Sequence, residues 1–231
     1  MQILYDIAPN GARRARTEGL QSVGQMEISL EVNGQIPEDS SERLFRYISD
    51  YVMVSGQKIH SGETMRYGWT TLRFTLAPDG TMLQIEELAQ PFSPDSSDYT
   101  AGAVNAMAIL TKQDTTVRRF NIQKIGHHPH RSEMAIICRN LNAKSKIMVF
   151  DRIASNKTED SGWFVGCGDS GHDHNNLQEL ARIHLAHLVA GRPKIVYYLA
   201  MPEETRVVFD YTKTIVFPPG ENEGREEDSD A

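Results

Sequence analysis

Histidines and cysteines are the residues of this chain with the most distinctive chemistry. Three histidines lie in the segment 126–130 (GHHPH), two lie in the segment 171–174 (GHDH), and the two cysteines are Cys138 and Cys167. Thiols and imidazoles are the donors that zinc prefers in proteins. The spacing matches no familiar zinc pattern, however, since the sequence contains neither CxxC nor HExxH. Histidines in such loops are more typical of surfaces and interfaces, so we predict no metal site.

Cys167 is the most plausible nucleophile, because it lies between two glycines and His172 is close in sequence. A catalytic cysteine also needs a group that orients its base and an oxyanion hole, and the sequence identifies neither. Nucleotide binding has no support, since no Walker sequence occurs and no GxGxxG motif follows a predicted strand. The sequence therefore predicts no catalytic residue, no cofactor and no enzyme. It favours a protein that acts through a binding surface.

Composition limits the class of protein. The chain has 231 residues, and its mean hydropathy is -0.44. The longest uncharged, fairly apolar run covers residues 99–111, whereas a membrane-spanning helix needs about 20 residues. The first residues do not resemble a signal peptide, because arginines follow the short apolar stretch instead of preceding it. We therefore expect a cytoplasmic protein without membrane contact, with both cysteines as free thiols.

Charge is concentrated at the end of the chain. The formal net charge is -7, and the segment 219–231 contains six acidic residues and one arginine. The remaining residues are therefore almost neutral and give no electrostatic footprint for nucleic acid. The composition of this acidic tail predicts a solvated, disordered segment.

The elements that must position these residues indicate an α+β fold with two linked mixed blocks. Each block is expected to pair a mostly antiparallel sheet with one or two helices. We predict domains at residues 1–130 and 131–218, followed by the tail 219–231. Helices are predicted at 37–54, from Asp98 onward, and from Asn176 to Gly191. Strands are predicted at 26–32, 67–76, 81–88, 134–138, 146–153, 163–167, 195–199, 206–211 and 214–217, with a loop at 13–16 and an extended segment at 116–125.

Three segments of the second block resemble one bacterial family. They are 161–170 (SGWFVGCGDS), 173–180 (DHNNLQEL) and 193–199 (PKIVYYL). Over about residues 136–211 the chain resembles the type thirty-three immunity domain of polymorphic toxin systems, formerly a domain of unknown function. The segment 201–206 departs from the glycine-containing ending that is usual in this family.

The resemblance implies a function in bacterial competition, including type VI secretion: binding and neutralising a cognate secreted toxin, without catalytic residues. In the cytosol such a toxin acts on nucleic acids or nucleotides, so the resemblance favours a nuclease as partner. An acidic inhibitor suits a basic nuclease, because charge complementarity accelerates encounter. The toxin-binding surface is expected around the glycine-rich loop and the start of the following helix, at Trp163, Asp169, Asp173, His174 and Glu179. For Trp163, packing in the core is an alternative that stays open.

Two other functions stay open. A secretion adaptor or chaperone would hold an effector without inhibiting it, and the sequence does not separate it from an immunity protein. A small metal-dependent hydrolase would use the histidine loops, and bound zinc together with loss of activity on substitution of His172 or His174 would favour it.

Overall fold

The computed structural model describes residues 1–8, 11–32, 38–141, 145–155, 157–169, 171–210 and 212–228. It confirms the predicted α+β fold, with two mostly antiparallel sheets, 24% helix and 33% strand. The chain divides into two compact units: residues 1–91 with 95–111, and residues 92–94 with 112–231. This division lies near residue 112, whereas the sequence-based boundary lies at residue 131.

A seven-stranded sheet forms the first unit. Its strand order is β1-β2-β3-β6-β5-β4, with β7 paired to β6, and only β3 and β6 run parallel. The predicted hairpin is confirmed for residues 70–76 and 83–88, which form an antiparallel pair, but a turn at 68–69 separates Tyr67 from the first of these strands. The strands are β1 (Gln2–Ile7), β2 (Arg13–Glu18), β3 (Ile28–Glu31), β4 (Thr64–Tyr67), β5 (Thr70–Leu76), β6 (Leu83–Leu88) and β7 (Tyr99–Ala101).

The helix α1 (Glu38–Ser55) confirms the predicted amphipathic segment. Leu44, Phe45, Ile48 and Val52 repeat at helical spacing, and all four are buried in the core cluster that also contains the sheet residue Phe74. Burial of this stripe in the core explains why the segment is helical despite its many polar residues.

The helix α2 (Val104–Arg119) begins six residues after the predicted start and includes part of a segment that was predicted to be extended. Glu87 on β6 fixes its first turn, because its carboxylate accepts hydrogen bonds from the backbone N–H groups of Asn105 (2.9 Å) and Ala106 (2.7 Å). These are two of the donors that a helix start leaves without a partner. The prediction of an extended segment at 116–125 is therefore wrong for residues 116–119.

The arginine-rich segment at 13–16 is also not a loop, since it forms the start of β2. Asp6 on the neighbouring strand β1 pairs with Arg14 (2.8 Å) and Arg16 (3.0 Å). Neutralisation by this shared carboxylate explains how two nearby arginines fit on one strand face.

A second seven-stranded sheet forms the other unit, in the order β11-β8-β10-β9-β12-β13-β14. The neighbours β8 and β10 run parallel, and every other pair in this sheet is antiparallel. The strands are β8 (Met134–Cys138), β9 (Met148–Arg152), β10 (Asp160–Cys167), β11 (Leu180–His184), β12 (Arg206–Phe209), β13 (Lys213–Phe217) and β14 (Arg225–Asp228).

The predicted long helix from Asn176 to Gly191 is wrong. The segment forms a 3-10 turn (Leu177–Glu179), then β11, and then the short helix α3 (Leu185–Val189). β11 pairs antiparallel with β8, so the sheet ladder overrides an apolar pattern that is compatible with a helix.

Two further segments differ from expectation. Pro193–Tyr198 forms a 3-10 helix in place of a strand. In the acidic tail, β14 pairs with β13, and Lys213 bonds Glu226 at 2.7 Å, so residues 225–228 are ordered against the sheet instead of disordered. Residues 229–231 lie outside the described residues.

Candidate functional site

Both cysteines end neighbouring strands of the second sheet. Cys138 is the last residue of β8, and Cys167 is the last residue of β10. Because β8 and β10 are parallel, their carboxyl ends meet at the same edge of the sheet. The Cys138 side chain is buried and the Cys167 side chain is partly buried.

The loop after β10 returns two histidines to the same edge. Asp169 shapes its first bend, since its side chain accepts a hydrogen bond from the Gly171 N–H (2.9 Å) and its carbonyl accepts one from the His172 N–H (3.2 Å). Asp173 shapes the next bend by accepting the Asn175 N–H at 2.9 Å. Short side-chain caps of this kind are the usual means of folding a polar loop. They turn the chain back toward the two thiols.

Four side chains converge there, and we call them the thiol–imidazole cluster: Cys138, Cys167, His172 and His174. The His172 Nδ1 lies 3.1 Å from the Cys138 Sγ and 3.4 Å from the Cys167 Sγ. The His174 Nε2 lies 3.3 Å from the Cys167 Sγ. The four donor atoms all lie within 4.8 Å of one another.

Neighbouring groups fix the orientation of the cluster. The His172 Nε2 is buried without a hydrogen bond in the described part of the chain, and it lies 3.5 Å from the Glu179 Oε2. The backbone N–H of Asn140 points at the Cys138 Sγ at 3.3 Å. Gly166 lies close to the His174 ring, and a Cβ added at this glycine would lie only 3.1 Å from the His174 Cε1. In this setting His172 directs its Nδ1 at the two thiols, and His174 directs its Nε2 at the Cys167 thiol.

A nucleophilic role for Cys167 finds little support in this geometry. Burial is the largest influence on the Cys167 thiol and raises its pKa, although a hydrogen bond from the Asp169 backbone acts in the opposite direction. A thiol with a raised pKa holds its proton at neutral pH, and the thiolate is the reactive form. A metal ligand must also be the thiolate, so it is the donor types, two thiols and two imidazoles, that suit a soft or borderline cation.

The second group of histidines does not form such a cluster within the described residues. The His127 Nε2 pairs with Glu133 (2.8 Å), and the His128 Nε2 pairs with Asp114 (2.6 Å). The His130 Nδ1 bonds the Ser132 hydroxyl at 2.7 Å. Each of these histidines has its own local partner, and His130 is buried, whereas histidines in such loops were expected at a surface or an interface.

The predicted toxin-binding residues occupy different environments. Trp163 is 1% exposed, its Nε1 donates to the Leu199 carbonyl (3.0 Å), and its ring packs edge-on against Phe150. It is a core residue, so its predicted place on a surface is wrong. Asp169 and Asp173 are exposed on the loop, as expected. His174 and Glu179 are partly buried at the thiol–imidazole cluster.

The members of this cluster have the side-chain types of metal ligands, but their spacing in the sequence gives no reason to expect them together. Their spacing is irregular because two come from strand ends and two from a loop. A usable signal was present, however, since both cysteines close predicted strands and a histidine pair follows the second one. The missing information was the parallel pairing of β8 with β10.

The sequence comparisons agree with this division of the chain. Residues 112–217 match the model of the Imm33-like domain family, a segment that starts at the boundary of the second unit and ends with β13. The match confirms the resemblance to an immunity domain and extends it upstream of residue 136. Searches of curated proteins and of solved structures found no match. Among the described residues, no helix has the length and apolar character needed to cross a membrane.

Proposed function

Since residues 112–217 carry an Imm33-like domain, we propose that the protein is an immunity protein that binds and neutralises a cognate antibacterial toxin in the cytosol. The match to this family is the observation that carries the proposal. The proposed partner is a secreted nuclease, blocked at its active site or its substrate-binding surface.

The loop 168–179 is the surface that we propose for toxin binding. It contains three carboxylates, on Asp169, Asp173 and Glu179, and no lysine or arginine. Leu177 lies among them, and 79% of its surface is exposed. Among the described large hydrophobic residues, just one is more exposed. An exposed apolar side chain with a polar rim can enter a pocket of a partner, while the carboxylates of the rim face basic groups. Leu177 thus replaces the buried Trp163 as the apolar contact.

Charge supports a nuclease as the partner. A nuclease needs a basic surface for phosphate contacts, and an acidic loop can occupy that surface and accelerate encounter.

A charge experiment tests the surface. The double variant Asp169→Asn/Asp173→Asn removes two charges but keeps the side-chain oxygens that accept the loop hydrogen bonds. Its association rate with the toxin encoded by the neighbouring gene should fall, and it should depend less on salt than that of the wild type. Glu159→Gln/Glu223→Gln is the matched control, because it removes two exposed carboxylates elsewhere in the same unit. Equal rates for both double variants would place the interface elsewhere.

Co-expression separates an immunity protein from a secretion adaptor. An immunity protein restores the growth of cells that make the toxin internally, whereas an adaptor binds the toxin but leaves the cells to die. Binding without rescue would therefore contradict the proposal.

A further inference from the structure

We propose that the thiol–imidazole cluster binds one Zn²⁺ in a closed, structural site that fastens the loop residues 171–176 to the ends of β8 and β10. This inference concerns the cluster alone and does not depend on the proposed immunity function.

The distances within the cluster suit a tetrahedral ion. With Zn–S bonds of about 2.3 Å and Zn–N bonds of about 2.0–2.1 Å, the donors of a tetrahedral site lie about 3.4–3.8 Å apart. The measured sulfur–nitrogen distances are 3.1, 3.3 and 3.4 Å, and no pair of donors exceeds 4.8 Å. The three sulfur–nitrogen pairs would therefore need shifts of a few tenths of an ångström, and no pair of donors would need to close by more than about 1.4 Å.

The neighbouring groups are those expected around a zinc ligand. A metal-bound histidine commonly directs its second ring nitrogen at a carboxylate, which fixes the tautomer and the ring orientation. His172 does this, since its Nδ1 faces both sulfurs and its buried Nε2 lies 3.5 Å from the Glu179 carboxylate. The Asn140 N–H at the Cys138 Sγ can stabilise a thiolate. Two cysteines and two histidines that met by chance would need neither the carboxylate at the second nitrogen of His172 nor the N–H at the Cys138 sulfur.

Donor type and number decide the class of ion and its role. Two thiols and two imidazoles favour zinc over the harder cations magnesium and calcium. Four protein donors fill a tetrahedral zinc and leave no position for water, which distinguishes a structural site from a catalytic one. The ion would link two strand ends to one loop, so its contribution is to order the loop and not to hydrolyse a substrate.

Metal analysis of the full chain tests the proposal. The protein is purified without a histidine tag from cells grown with zinc, and zinc is measured against protein concentration. We expect one zinc per chain. After zinc is removed by a chelator, one equivalent of Co²⁺ should produce the absorption bands of tetrahedral cobalt bound to thiolate.

Variants locate the ion. Cys167→Ser and His174→Ala alter partly buried residues and should each lose the zinc and the cobalt thiolate bands. His187→Ala is the matched control, because His187 is an exposed histidine of the same unit and should leave one zinc per chain. If a ligand variant fails to fold, the cobalt spectrum of the wild-type chain still decides whether the site exists.

Three results would overturn the zinc site. The first is wild-type protein that holds no zinc, has reduced thiols and gives no cobalt spectrum. The second is a Cys138–Cys167 disulfide in protein isolated under native, non-oxidising conditions. The third is a zinc content that stays unchanged in both folded ligand variants.

Discussion

Substituting Gly166 by alanine tests how tightly the thiol–imidazole cluster is built. The new Cβ would lie 3.1 Å from the Cε1 and 3.4 Å from the Nδ1 of His174. Carbon atoms in ordinary contact are about 3.5–4.0 Å apart, so the imidazole ring must move by about 0.5 Å. In a formed zinc site the metal–ligand distances lie within about 0.2 Å of their usual values, so on binding zinc the displaced ring would have to move back against the new Cβ. We therefore expect zinc affinity to fall about 10- to 100-fold, the size of effect seen when a group that orients a ligand is lost.

The assay is a zinc competition titration against a chromophoric chelator. Gly191→Ala is the control, because an added Cβ there meets no atom within 4 Å. The metal-free Gly166→Ala chain should melt near the temperature of the metal-free wild type, since the gain of alanine over glycine in a strand is opposed by the crowding of the His174 and Phe164 rings. Wild-type zinc affinity in the folded Gly166→Ala variant would refute the position inferred for His174.

Three further predictions concern stability and binding. Burial raises the pKa of Glu87 above its ordinary 4.5, against the opposing effect of the backbone hydrogen bonds, so this carboxyl group stabilises the fold fully below pH 4.5 and loses that contribution as the pH rises through its folded-state pKa. Chemical denaturation of the wild type and of Glu87→Gln at a series of pH values should show the variant gaining stability relative to the wild type over this range. Parallel stability curves would contradict the prediction. Trp163→Ala should lower the free energy of unfolding by about 3–5 kcal/mol, while the folded fraction of the variant binds the toxin with wild-type affinity. A loss of affinity in folded protein would show that Trp163 contributes to the interface. Leu177→Ala should change the free energy of unfolding by less than about 0.5 kcal/mol, because the side chain is exposed. In titration calorimetry the same variant should bind the toxin about tenfold more weakly or worse. Unchanged affinity would show that Leu177 is not part of the interface.

Local sequence patterns were sufficient for elements whose burial follows one clear period. The stripe from Leu44 to Val52 predicted α1, and the β-branched and aromatic residues around Phe74 predicted β5, because in both cases the local pattern and the buried face agree. The segment from Leu177 to Leu188 was misassigned because its apolar spacing also suits a helix. Only the open edge of β8 makes residues 180–184 a strand, and that edge is a property of the assembled sheet.

The candidate site was only partly predictable for the same reason. The acidic loop and its histidines were evident from local composition. The cluster itself depends on β8 and β10 being parallel neighbours, so that residues 138 and 167 meet although they are distant in sequence. The burial of Trp163 likewise depends on the Leu199 carbonyl and on Phe150, which the sequence alone could not place beside it.

An inhibition titration tests the immunity function most directly. The cognate toxin, sought first as the product of the neighbouring gene, is purified, and its cleavage of nucleic acid is measured while this protein is added in increasing amounts. Neutralisation by binding predicts that cleavage stops at about one equivalent of protein per toxin, and that the protein alone leaves the nucleic acid intact. Full cleavage at a large excess of folded protein would contradict the function proposed here.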